Sequence, residues 1–224
     1  VLEVPQGGWP TSTALQVARI VAAAAIKSDD DVLTTSDVDM LPLDAAYFGA
    51  LDLGAADVHV QGNHRATLKY HQYPICYVTM RVGTWRRVMG TGATRNLSVP
   101  MAPLLRPSMR WDYDQMLLID SVERANASVK LYDWADARRM DYRRAKRKGG
   151  GLPAWREGAY VDAHLLRPGF TSENWPKLRA SLLEHVMDAE ALAYFDEYQK
   201  RFVKEVMGGD DVAKGMVDGK GRPW

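Results

Sequence analysis

The sequence predicts an α/β fold, a Rossmann-like mixed sheet flanked by helices. Three observations predict it. Residues 14–26 carry Leu15, Ala18, Val21, Ala22 and Ala25 at helical spacing. That helix feeds a short apolar run, residues 31–36, which reads as a buried strand and ends in Asp37-Val38-Asp39. Further strand-length apolar runs then alternate with helical patterns along the chain, the mark of an α/β architecture.

The elements follow in order. Thr11-Ser12-Thr13 offers N-cap hydroxyls to the first helix. Residues 43–53 read as a short helix or loop, and residues 57–60 as a second strand. Residues 61–70 are polar, with turn signals at Gly62 and Asn63. A third strand is expected at residues 75–80 and a short helix at 84–89. Residues 90–107 hold two glycines and three prolines and read as a loop. Trp111-Asp112-Tyr113-Asp114-Gln115 opens a helix reaching Arg124, whose early acids suit the N-terminal dipole. Strands are expected at 129–132 and 160–165, and helices at 174–187 and 189–207.

Composition narrows the function. A chain of 224 residues fits one α/β domain, read here as residues 1–207 with a Gly- and Asp-rich tail at 208–224 that is expected to fray. The formal net charge of +1 offers no global field for nucleic acid. No stretch is long and apolar enough to span a bilayer, and no secretory signal is present. The single cysteine, Cys76, excludes an intramolecular disulfide and a Cys-based zinc cluster, and fits a reducing, cytoplasmic setting. Cys76 lies in an apolar run and reads as a core residue. An α/β nucleotide-binding unit usually opens strand–helix–strand, whereas this chain opens on a helix. The expectation is therefore that part of an N-terminal nucleotide-binding unit is missing.

The chemistry concentrates at the acids. Ligands of open α/β sheets bind at the carboxyl ends of the strands, where Asp37 and Asp39 fall. Two carboxylates there suit a hard divalent cation that carries a phosphorylated substrate. Asp is also common in turns, so a solvated strand end is the plain alternative. Arg19, on the preceding helix, is placed to reach a phosphate or an acid, or to lie on a solvated face. Asp112 and Asp114 read either as helix caps or as acid–base groups. The basic cluster Arg138, Arg139, Arg143, Arg144, Lys146, Arg147 and Lys148 reads first as a solvated loop, with peripheral membrane contact or an anionic acceptor as the alternative.

Three segments line up: Ser36-Asp37-Val38-Asp39-Met40-Leu41-Pro42-Leu43, Trp111-Asp112-Tyr113-Asp114-Gln115, and Asp162-Ala163-His164-Leu165-Leu166-Arg167-Pro168-Gly169. In that order they resemble the GT-A class of nucleotide-sugar glycosyltransferases, and among them the small GT-A domains of large algal viruses and bacterial polysaccharide loci. The resemblance implies a GT-A-like fold and transfer of a hexose or deoxyhexose from a nucleoside-diphosphate donor to a hydroxyl of a glycan or other acceptor. Family frequency favours a uridine nucleotide. The resemblance also implies Mn²⁺ or Mg²⁺, held directly by Asp39 and completed by His164. Asp37 would contact the ribose, the donor sugar, or the metal through water. Asp114 would be the base of an inverting reaction, with Asp112 the competing candidate. Trp111 would stack on a sugar or pack, and Asp162 would orient His164.

Rival readings use the same acids differently. A haloacid-dehalogenase-type phosphohydrolase or phosphotransferase asks for Thr or Val two residues after the second Asp, where this chain has Leu41. A nucleotidyltransferase usually brings a Gly-rich loop or Gly-Ser before its acids, and Thr35-Ser36 does not supply one. A non-catalytic carbohydrate-binding domain of the same fold would keep the scaffold without metal-dependent donor binding.

Overall fold

The computed structural model describes residues 11–37, 40–49, 53–62, 67, 69–94, 96–105, 112–133, 138–141, 154–165 and 171–205. Among these the strands are β1 (Val32–Ser36), β2 (Met40–Pro42), β3 (Val58–Gly62), β4 (Tyr77–Arg81), β5 (Val129–Asp133), β6 (Arg139–Asp141) and β7 (Asp162–His164). The helices are α1 (Thr11–Val21), α2 (Ala45–Gly49), α3 (Val82–Met89), α4 (Ser98–Met101), α5 (Tyr113–Arg124), α6 (Asn174–Leu178), α7 (Glu184–Val186) and α8 (Ala189–Glu205). The chain is mixed α/β, and it divides into two compact units: Val1–Asp37 with Asp52–Asp136, and Val38–Leu51 with Ala137–Trp224.

The first unit is built on a sheet of order β1-β4-β3-β5. β4 is antiparallel to both β1 and β3, while β5 is parallel to β3. β1, β3 and β5 therefore run the same way and present their carboxyl ends at one edge. Alternation gives the sheet two different faces. The register aligns Leu33, Met80, Val58 and Val129, and beside them Thr35, Val78, Val60 and Leu131. This face joins Val17 and Ile20 of α1, Trp85 and Val88 of α3, and Leu118 and Val122 of α5 in one core. Each fully buried aliphatic side chain contributes about 1.5–3 kcal/mol against leaving it exposed. The opposite face carries Thr79, His59 and Gln61, all buried. Thr34 and Thr79 share a hydroxyl hydrogen bond of 2.8 Å, and His59 Nε2 lies 3.2 Å from the Leu53 carbonyl.

α3 is stitched to the chain before β1. The Val82 and Gly83 amides donate to the Asp31 and Asp29 carbonyls at 2.8 and 2.9 Å, which satisfies two donors of the first helical turn. A Cβ at Gly83 would stand 3.2 Å from the Asp29 Cβ, so a side chain there would require Asp29 to shift by a few tenths of an ångström. Gly90 ends α3 with φ +65°, and the Thr91 amide turns back to the Arg86 carbonyl at 2.9 Å.

The second unit has a small sheet of order β2-β7-β6, with β2 antiparallel and β6 parallel to β7. Its core gathers Met140, Ala163, Trp175, Leu178, Leu182 and Leu183. The Trp175 indole donates to Asp196 of α8 at 2.9 Å.

Four expectations need correction. Residues 31–36 do not form a buried strand: β1 has β4 as its one partner among the described residues, Val32 is 52 % exposed, and Thr35 alone is buried. The 90–107 loop contains the helical turn α4. The 174–187 helix is interrupted by a π-helical turn, Arg179–Leu183. The basic stretch at 138–148 is not a solvated loop at its start, because Arg139 belongs to β6 and its side chain is 9 % exposed. Residues 143–148 and the 208–224 tail lie outside the described residues.

Trp85 joins the apolar core to β1. It is fully buried, and its indole donates to the Leu33 carbonyl at 3.1 Å. Trp85→Ala is expected to lower the unfolding free energy by about 3–5 kcal/mol. Urea titration followed by circular dichroism reads this as a lower midpoint.

Candidate functional site

The first cluster of candidate side chains lies at the carboxyl end of β1. α1 buries Ala14, Val17, Ile20 and Val21, and that packing fixes the rotation of the helix. Arg19, in its last turn, then reaches the sheet edge. Its Nη1 donates to Asp37 Oδ1 at 2.5 Å and to the Ser36 carbonyl at 3.3 Å. Its Nε donates to Asp114 Oδ2 at 3.1 Å, and Nη2 donates to the same oxygen. The other Asp114 oxygen accepts the Gln115 amide at 2.9 Å. Ser36 pairs with Tyr77 across the ladder, which brings Cys76 beside Asp37. The Cys76 thiol is 3.6 Å from Asp37 Oδ2 and buried, in keeping with its reading as a core residue.

Asp114 is 0 % exposed. Burial pushes its carboxyl above the ordinary aspartate range; Arg19 pulls it back, and the nearby Asp37 charge pushes it up again. For Arg19, burial works against the charge, and attraction to Asp114 and Asp37 more than offsets this, so its pKa is raised. One guanidinium thus serves two carboxylates, and with both ionised the cluster keeps an excess negative charge. Removing one member of a buried pair costs about 3–5 kcal/mol, because the partner charge is left stranded. Arg19 therefore does not lie on a solvated helix face.

Asp112 is the N-cap residue of α5 by position and is buried. Its side chain makes no capping hydrogen bond; its backbone carbonyl accepts the Gln115 and Met116 amides at 3.2 and 3.4 Å. Trp111 lies outside the described residues.

The second cluster is on the small sheet. β2 and β7 are paired with Met40 opposite His164 and Pro42 opposite Asp162. β6 and β7 are paired with Arg139 opposite Asp162 and Asp141 opposite His164. Residues two apart share a face, so this register makes two adjacent cross-strand pairs. Arg139 grips Asp162: Nε is 2.9 Å from each carboxylate oxygen, and Nη2 donates to Oδ2. The expected Asp162 partner for His164 is thereby corrected. The acid that faces the imidazole is Asp141, whose Oδ1 is 3.6 Å from Nδ1. Asp39, which immediately precedes Met40 in the sequence, lies outside the described residues.

The residue types suit a divalent cation of the Mn²⁺ kind, since carboxylate oxygen and imidazole nitrogen both ligate it. Asp37 carries the Arg19 guanidinium on one oxygen, which fits the water-mediated or hydroxyl-binding role better than direct ligation. A third group, His71, Asp120 and Glu123, was not singled out in the sequence. His71 Nε2 is 3.1 Å from Asp120 and 3.6 Å from Glu123, and all three are more than half exposed. Exposed groups of this kind are common without a metal. No protein-family model matches the chain, and neither does a curated protein or a solved structure. Function is therefore argued from the clusters themselves.

The upward shift of Asp114 has a measurable sign. The folded state holds this proton more tightly than the unfolded chain does. The resulting stabilisation is complete below the ordinary aspartate pKa and is lost as pH rises through the folded value. Asn at position 114 does not titrate. The unfolding free energy of the wild type, relative to Asp114→Asn, is expected to fall across that window and then level off. Urea unfolding of both proteins through the mildly acidic range checks this.

Proposed function

We propose that this chain is a metal-dependent, GT-A-like glycosyltransferase. It transfers a hexose or deoxyhexose from a nucleoside-diphosphate donor, a uridine nucleotide in the first instance, to an acceptor hydroxyl. The observation that carries this reading is the meeting of Asp37, Arg19 and Asp114 at the carboxyl end of β1. The order of D-x-D, helix-start acids and late histidine along the sequence adds to it.

In this reading Asp39 and His164 hold Mn²⁺ or Mg²⁺. The bound ion supplies Lewis-acid stabilisation of the leaving nucleoside diphosphate. Asp37, fixed by Arg19, binds the ribose or the donor sugar. Asp114 is the base that takes the acceptor proton as the hydroxyl oxygen attacks the anomeric carbon with inversion. A carboxylate raised above its ordinary pKa is the stronger proton acceptor for that task. Asp114 is buried against Arg19, which bonds one carboxylate oxygen; in this proposal a shift of the guanidinium towards a donor phosphate would open the carboxylate to the acceptor. Asp112, beside it at the start of α5, is the competing base. No helix among the described residues is long and apolar enough to cross a membrane. Any membrane contact is peripheral in this proposal, through the basic stretch at 138–148.

Calorimetric titration with uridine diphosphate, with and without Mn²⁺, tests the reading. Metal-dependent binding is expected in the wild type. In Asp39→Ala it is expected to vanish while the unfolding midpoint is kept. Equal affinity in the two proteins would remove the metal assignment, and absence of binding in the wild type would favour a non-catalytic carbohydrate-binding domain. Asp114→Asn is expected to retain donor binding and to lose transfer to the acceptor, measured by release of nucleoside diphosphate. Full transfer by that variant would pass the base role to Asp112.

A further inference from the structure

The two cross-strand pairs on β6 and β7 differ in a way that the glycosyltransferase reading does not use. Arg139 and Asp162 are nearly sealed from solvent and bind one another through several charge-assisted hydrogen bonds. That pair takes Asp162 out of play and pins the register of β6 against β7. One step along the strands, the same register sets Asp141 opposite His164, with the carboxylate 3.6 Å from Nδ1. Both side chains are largely covered, which limits the rotamers open to the ring.

We infer that Asp141 is a positioning residue for His164: its carboxylate draws the imidazole proton to Nδ1, so that Nε2 is the nitrogen offered to a divalent cation. A ligating histidine uses one ring nitrogen for the metal and gives the proton on the other to a carboxylate or carbonyl. This fixes both the tautomer and the ring orientation. A separation of 3.6 Å is an ion-pair distance, beyond a hydrogen bond, at which the carboxylate still favours the proton on the near ring nitrogen. The metal half of this inference rests on the reading of His164 as a ligand; the tautomer half stands on the Asp141–His164 pair alone. The Arg139–Asp162 pair makes the arrangement specific. With Asp162 occupied, Asp141 is the acid that the register leaves facing the ring.

The test uses the full chain as wild type, Asp141→Ala, Asp141→Glu and His164→Ala. Two readouts are taken. Isotope-edited NMR of the metal-free proteins, above the usual histidine pKa, reports which ring nitrogen of His164 carries the proton. Titration with Mn²⁺ alone, followed by electron paramagnetic resonance, reports metal affinity. The Nδ1–H tautomer is expected to dominate in the wild type and to give way to Nε2–H in Asp141→Ala. Mn²⁺ affinity is expected to fall about 10–100-fold in Asp141→Ala, to recover in part in Asp141→Glu, and to be lost in His164→Ala. Unfolding midpoints of the metal-free proteins should agree, which separates positioning from a structural defect. An unchanged tautomer together with unchanged Mn²⁺ affinity in Asp141→Ala would overturn the inference. If the wild type binds no Mn²⁺ at all, the glycosyltransferase reading fails separately, and the tautomer measurement alone decides the role of Asp141.

Discussion

The grip of Arg19 on Asp37 and Asp114 is the constraint from which the first unit is best understood. It joins three segments far apart in sequence: the end of α1, the end of β1 and the first turn of α5. Each is aimed there by apolar packing behind it. Val17 and Ile20 set the face of α1, Leu118 and Val122 set the face of α5, and the ladder with β4 sets the end of β1. Hydrophobic burial thus does the bulk of the stabilising, and the ion triad specifies where the polar ends meet. A buried carboxylate that shares its only described cation with a second carboxylate holds its charge weakly. The same feature is a weakness for stability, and in the proposed reaction it would favour proton transfer.

The second unit uses the same physics on a smaller scale. Its three strands are short, so propensity alone fixes their register poorly. The Arg139–Asp162 pair supplies a charge match that a slip of one residue would break. The Met40–His164 and Asp141–His164 pairings follow from that register. The geometry around His164 is therefore a consequence of strand alignment, and the alignment is specified by a buried ion pair beside a core of Met140, Ala163 and Trp175.

Much of the first unit was legible in the sequence. The helix in residues 14–26, the run Tyr77-Val78-Thr79-Met80 and the acids opening α5 all announce their elements through periodicity or helix-start chemistry. The face of the first helix was misplaced: Ala14, Val17, Ile20 and Val21 are buried, whereas Leu15 of the expected stripe Leu15, Ala18, Val21, Ala22 and Ala25 is 55 % exposed. Other features were hidden for physical reasons. β1 looked buried because it is short and contains Val and Leu, yet edge position is set by pairing, which periodicity does not encode. Arg139 was masked by the basic residues that follow it, and its neighbour Asp141 with it. The alternation Arg139-Met140-Asp141 against Asp162-Ala163-His164 was the available signal: two ionisable residues flank an apolar one in each strand, in complementary order. The exposed group at His71, Asp120 and Glu123 joins a turn to a helix far along the chain, and no local pattern reports such a meeting.

The proposed transfer depends most on a cation held by Asp39 and His164. Diffraction from crystals containing Mn²⁺ and uridine diphosphate, recorded for the anomalous signal of manganese, addresses this directly. A single strong peak bonded to an Asp39 carboxylate oxygen and to His164 Nε2 is the expected result, with the diphosphate as the remaining partner. A peak at His71, Asp120 and Glu123 alone, or bound nucleotide with no manganese beside His164, would contradict it.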